Sequence, residues 1–217
     1  MSVRTASSYF LLFVLGAATG CGVEASDTSA ETAALAAPAP TYSWPLPATG
    51  WFPDKFDLPL PFAPGLPYRG SEDLHQLNDF GTPLSTGWWS YNFLLWLDGS
   101  PRITGDSLER DLLDYYKGLC NYFGPPAVTC TPAGFSSRVS RLGEVSLGGR
   151  SADFFEARVT GFDPFFTGQP IALNMLISSI QCPRARHRAV LITASPQPIG
   201  QGPWPQLLEN ALQFRCQ

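Results

Sequence analysis

The sequence predicts an α+β domain, a largely antiparallel sheet packed with two or three helices. Three observations carry that reading. Residues Trp88 to Asp98 alternate so strictly that Trp89, Tyr91, Phe93, Leu95 and Leu97 form one wholly apolar face, the period of a strand lying on a core. Two stretches, near Leu108–Leu119 and Trp204–Leu212, repeat apolar residues at helical spacing instead. The second half of the chain is mostly β-branched and aromatic runs cut by turn residues, and 21 prolines with 20 glycines are too many for a helical bundle.

The chain opens on an address. Arg4 is the only charge before Glu24, Tyr9–Leu15 is an apolar run, and Gly16-Ala17-Ala18-Thr19-Gly20 supplies small residues before Cys21. A charged start, a short greasy centre and small residues at a boundary predict a signal peptide over residues 1–20. The run is shorter than the about 20 apolar residues that a membrane-spanning helix needs. Ala18-Thr19-Gly20-Cys21 resembles the lipobox of bacterial lipoproteins, although that pattern prefers leucine where Ala18 stands. The resemblance implies a lipidated Cys21 at the mature N-terminus. With Gly22 where an inner-membrane retention signal has aspartate, it also implies an outer-membrane lipoprotein facing the periplasm or the cell surface. The alternative is an ordinary secreted protein with Cys21 removed or disulfide-bonded. Removing residues 1–20 takes away Arg4 alone, so the net charge goes from −4 to −5 and the lipid must supply the anchoring to an anionic leaflet.

Residues 21–43 then form a tether rich in Ala, Ser, Thr, Glu and Pro, too poor in large apolar groups to offset the entropy of ordering. About 20 flexible residues span roughly 25 Å, enough to hold a domain just off a membrane. A single α+β domain is expected over 44–217. Its first part, Pro45 to Pro67, mixes frequent prolines with Trp51, Phe52, Phe56 and Phe62, which predicts an extended wrapping segment or an edge strand. Ser71–Leu77 reads either as one or two helical turns capped by Ser71 or as an irregular strand, closed by Gly81 and Pro83.

After the central strand, Asp98-Gly99-Ser100-Pro101 is a turn. A helix follows over Ser107–Lys117, capped by Thr104 or Asp106, with Asp106 and Glu109 as a box and Gly118 as its end. Its apolar face is Leu108, Leu112, Tyr115, Tyr116 and Leu119. A loop from Asn121 to Gly134 leads to strands over Ser137–Val145, Asp153–Phe162, Ile171–Ile180 and Arg188–Ala194, with turns at Gly148-Gly149 and Arg184–Arg188. Pro203-Trp204-Pro205 opens the last helix, which presents Trp204, Leu207, Leu208, Ala211 and Leu212, and Gln213–Cys216 closes the chain as a short strand.

Trp89–Leu97 with Leu112–Leu119, and Val190–Pro198 with Trp204–Cys216, resemble a group of secreted bacterial proteins of unassigned role. The element order, ending in a helix and a short strand near Phe214-Arg215, is similar to PsbP-like α/β/α sandwiches. That likeness implies a non-enzymatic binding or assembly role and transfers no ligand set.

Setting Cys21 aside leaves Cys120, Cys130, Cys182 and Cys216, an even number that suggests two disulfides in an exported chain, with three pairings open. Cys120–Cys130, closing the loop after the helix, and Cys182–Cys216, pinning the last strand, are favoured over a zinc site because no C-x-x-C spacing occurs. Glu72, Asp73 and His75 form E-D-x-H, a carboxylate and imidazole set without the second histidine of a zincin; the alternative to a binding role is a small hydrolase or carbohydrate-active domain using these three. No G-x-S-x-G or S-x-x-K is present, and Ser90 and Ser195 read as structural. Arg184, Arg186, His187 and Arg188 are the one local positive cluster, either a patch for headgroups or an acidic partner, or a solvated turn. Trp88, Ser90, Asn92 and Trp96 line the mixed face of the central strand, a surface for a sugar or peptide unless the last helix covers it through Trp204 and Leu208. No cofactor, no metal and no nucleic-acid partner is expected, since there is no basic run and no phosphate-cradling glycine loop. The expected partners are the membrane, through the lipid, and an envelope protein or glycan.

Overall fold

The computed structural model describes residues 42–124, 130 and 132–217. They lie in one compact unit. The expected signal peptide, Cys21 and the tether as far as residue 41 lie outside the described residues. Tyr42–Ser43 (β1) pairs with Arg215–Cys216 (β9) as a ribbon of its own, so paired structure begins before the expected boundary at residue 44.

The main sheet contains seven antiparallel strands: Trp51–Leu58 (β2), Gly70–Leu77 (β3), Tyr91–Asp98 (β4), Ser136–Leu147 (β5), Arg150–Phe162 (β6), Pro170–Cys182 (β7) and His187–Ser195 (β8). Their spatial order is β2-β3-β4-β8-β7-β6-β5. The chain climbs through a three-strand meander and crosses by the helix Gly105–Phe123 (α1) to the far edge. It returns strand by strand until β8 closes on β4. A second helix, Trp204–Ala211 (α2), follows β8. Among the described residues no helix is long and apolar enough to cross a membrane.

Strand β4 lies inside the sheet, between β3 and β8, and both of its faces are buried. Trp89, Tyr91, Phe93, Leu95 and Leu97 join one core with Leu108, Leu112, Tyr115, Tyr116 and Leu119 of α1 and with Leu60 and Phe62. Leu94 and Trp96 join another with Ala211 of α2, Tyr42, Trp44 and Phe214. The helices therefore cover opposite faces of the sheet. Each large side chain fully withdrawn from water contributes about 1.5–3 kcal/mol, so the doubly covered strand carries much of the stability.

Several local expectations are corrected. The strand begins at Tyr91 rather than at Trp88, since Trp89 has φ +51° and Trp88–Ser90 turn into the sheet. Of the two readings of Ser71–Leu77 the strand holds, over Gly70–Leu77, and it is regular rather than irregular. The edge strand expected in the proline-rich segment is present: β2 lies at the sheet edge, where Pro53 is tolerated.

Helix α1 has Thr104 as its N-cap, but the box partner is Ser107 rather than Glu109. It runs on through Gly118 to Phe123. Gly118 is a crossing point, not an end: a Cβ there would lie 2.0 Å from the Phe62 carbonyl oxygen. The backbone of Phe62 and Ala63 lies directly against the helix at that position.

In α2 the buried set is Trp204, Leu207, Asn210 and Ala211, while Leu212 is 55% exposed. The buried stripe is thus rotated slightly from the one that the apolar spacing predicts, and Asn210 occupies the covered face. Disulfides join Cys120 to Cys130 and Cys182 to Cys216. The first clasps the end of α1, and the second ties β7 to β9.

Candidate functional site

The E-D-x-H residues lie on β3, and a strand sends neighbours to opposite faces. Glu72 enters the core beneath α1, and Asp73 and His75 lie on the face that α2 covers. The three side chains do not converge on one pocket. Asp73 and His75 border one open concavity with Pro53 and Lys55, and the sheet separates Glu72 from them.

Glu72 is fully buried. Tyr115 donates to its Oε1 at 2.6 Å, and Oε2 has no hydrogen-bond partner. Burial, above all, raises the carboxyl to about 8; the Tyr115 hydrogen bond works against that rise, and Asp54 and Asp73 add to it. Tyr91 and Tyr116 share a hydrogen bond in the same core. Burial raises both phenols, so they remain neutral donors. The cluster stitches β3 and β4 to α1 and is closed to substrate.

On the other face, Trp44 stacks on His75 with ring centroids 3.7 Å apart. His75 Nδ1 donates to Asn210 Oδ1 at 3.2 Å, and Asn92 Nδ2 donates to the same oxygen at 2.8 Å. Asn92 also reaches the Leu207 carbonyl at 2.9 Å, and Trp44 Nε1 donates to the Asn210 carbonyl at 3.0 Å. Burial lowers the His75 pKa, with the Asn210 bond and Asp73 opposing it, so the neutral ring is favoured. Asp73 is engaged by Tyr42 through its hydroxyl and by Lys55 at 2.8 Å. Among the described residues no three His, Cys, Asp or Glu side chains gather as a metal site would require.

The mixed face of β4 is covered. Ser90 and Asn92 are wholly buried, and Trp96 is 6% exposed. Cover comes from Leu207 and Asn210 over Asn92, and from Tyr42 and His187, whose rings pack on Trp96 with centroids 4.7 Å away. Trp88 does not share this face; it packs on the core beneath α1. These four residues therefore do not form an exposed ligand platform. Ser90 Oγ meets Ser195 Oγ at 2.8 Å in the interior, a structural hydroxyl pair.

The basic cluster splits in the same way. His187 stacks on Trp96 and meets Asp98 at 2.9 Å, while Arg188 reaches Ser179 at 3.0 Å on the opposite face. Arg184 and Arg186 remain exposed at the turn. Local sequence missed Asn210, the hub that joins β3, β4 and the Trp44 segment, because it sits inside an apolar helix stripe. It also missed the convergence of Arg188 with Arg102 and Arg141 around one cavity. Comparison with protein-family models, curated proteins and solved structures finds no match for this chain.

Proposed function

We propose that this chain is an exported, membrane-anchored lipoprotein of the bacterial envelope, held by lipid on Cys21, whose folded domain binds or assembles with another envelope component and performs no catalysis. The observation that supports this reading is the separate engagement of Glu72, Asp73 and His75, each with a different partner, Tyr115, Lys55 and Asn210. The two disulfides fit a non-cytoplasmic compartment. A PsbP-like assembly role is part of this proposal, resting on the order of the elements and on helices covering both faces of an antiparallel sheet. Outer-membrane placement is part of the same proposal, supported by Gly22 directly after Cys21.

Fractionation of cells expressing the full chain and a Cys21→Ser variant tests the anchor. The parent chain should sediment with membranes and resist a salt wash, and the variant should appear in the soluble fraction. Identical distribution of the two would remove the anchor from the account.

A further inference from the structure

The cover that α1 gives to the sheet stops at its first turn. Between that turn and strands β5, β6 and β8 lies a cavity of about 350 Å³, bounded by Arg102, Gly105, Arg141, Asp153, Phe155 and Arg188. Its size is at the low end of the roughly 300–1,000 Å³ typical of small-molecule sites.

The charges around it are unequal. Arg141 is matched: it reaches Asp153 at 2.7 Å through Nη2 and at 3.2 Å through Nε, with Glu144 at 3.5 Å. Among the described residues Arg188 meets only neutral oxygens, Ser179 at 3.0 Å and Gln181 at 3.3 Å, and its buried Nε has no hydrogen-bond partner there. Arg102 has no ion pair or hydrogen bond among the described residues. Two uncompensated guanidinium groups thus border one concavity, while the only carboxylate on its wall is already neutralised by the third arginine. Guanidinium forks match the planar or tetrahedral oxyanions of carboxylates and phosphates. Phe155 and Ile103 supply an apolar side to the cavity.

We propose that this cavity binds a compact organic dianion, a phosphate monoester or a dicarboxylate, held between Arg102 and Arg188. The inference deepens the reading of the domain as a binding module. It is independent of Cys21, so its failure and a failure of the membrane anchor are read by different experiments.

Isothermal titration calorimetry of the full chain in detergent and low salt, with phenyl phosphate and separately with succinate, tests it. Saturable binding at one site is expected for at least one probe, with a Kd under about 1 mM. Arg102→Ala, at an exposed residue without partners, should weaken that binding about tenfold or more, and Arg188→Gln should do the same. Arg184→Ala, on the turn outside the cavity, should leave it unchanged. Binding of phenyl phosphate alone assigns a phosphate ligand, of succinate alone a dicarboxylate, and of both the shared dianion chemistry. No saturable heat with either probe at about 10 mM, or equal weakening by Arg184→Ala and Arg102→Ala, would overturn the proposal.

Discussion

Tyr115 of α1 donates a 2.6 Å hydrogen bond to Glu72 of β3 inside the core, and this one contact turns a motif of apparent catalytic promise into a structural joint. The carboxyl is held in its protonated form at neutral pH, and the helix and strand are locked to one another.

The pH dependence of stability follows. The Glu72 carboxyl moves from an ordinary 4.5 to about 8 in the fold, chiefly through burial. Between those values the folded protein retains a proton that the unfolded chain has released, so stability falls as pH rises, by up to about 1.4 kcal/mol per pH unit. His75 acts in the opposite direction: its pKa is lowered from 6.5 by burial, so its contribution is lost as pH falls through that value. Urea unfolding of the parent and of Glu72→Gln, at about pH 5 and about pH 8, isolates the carboxyl. The variant should gain relative stability at the higher pH; the same pH dependence in both proteins would contradict the assignment.

Gly118→Ala should destabilise although alanine is the better helix former by about 1 kcal/mol. The new methyl would meet the Phe62 carbonyl, which is backbone and has little room to retreat. A loss of about 2–3 kcal/mol in chemical denaturation is expected. A stabilised variant would show that the chain segment over the helix yields freely.

Much of the architecture was legible because it depends on periodicity. The apolar alternation of Trp89–Leu97 and the stripe Leu108–Leu119 are local, and both lie where their patterns put them. What could not be read depends on distant partners. Glu72 is 43 residues from Tyr115 and His75 is 135 from Asn210, so nothing nearby signals that β3 buries its polar residues. Gly118 looked like a helix end for the same reason, as the Phe62 carbonyl that excludes a side chain lies far back in the sequence. The positive φ of Trp89 swung Trp88 away from the face that simple alternation gave it. Arg102, Arg141 and Arg188 come to border one cavity only through the crossing of α1 and the successive pairing of β5, β6, β7 and β8.

Asn210→Ala should cost about 2–3 kcal/mol, because it removes the oxygen shared by His75 and Asn92 and leaves buried donors without a partner. Leu212→Ala, two positions on in the same apolar-looking stripe, should stay within about 0.5 kcal/mol because Leu212 is largely exposed. Thermal melts of the two variants check the orientation of α2 directly; the reverse ranking would mean the helix is rotated.

The disulfides should differ in weight. Cys182–Cys216 encloses a sequence separation of 34 and Cys120–Cys130 one of 10, so loop-closure entropy predicts about 4 and about 3 kcal/mol. Replacing Cys182 and Cys216 by alanine should lower the urea midpoint more than replacing Cys120 and Cys130, since it also releases the β1–β9 ribbon. An equal or inverted ordering would argue against that topological weighting.

The proposed lipoprotein reading has the domain tethered to the envelope through lipid on Cys21. Intact mass spectrometry of the protein purified from membranes tests it most directly. The expected mass is that of a chain beginning at Cys21 with acyl and diacylglyceryl groups and the remaining four cysteines oxidised. A free amine at Gly22 or later, or retention of residues 1–20 without lipid, would contradict it.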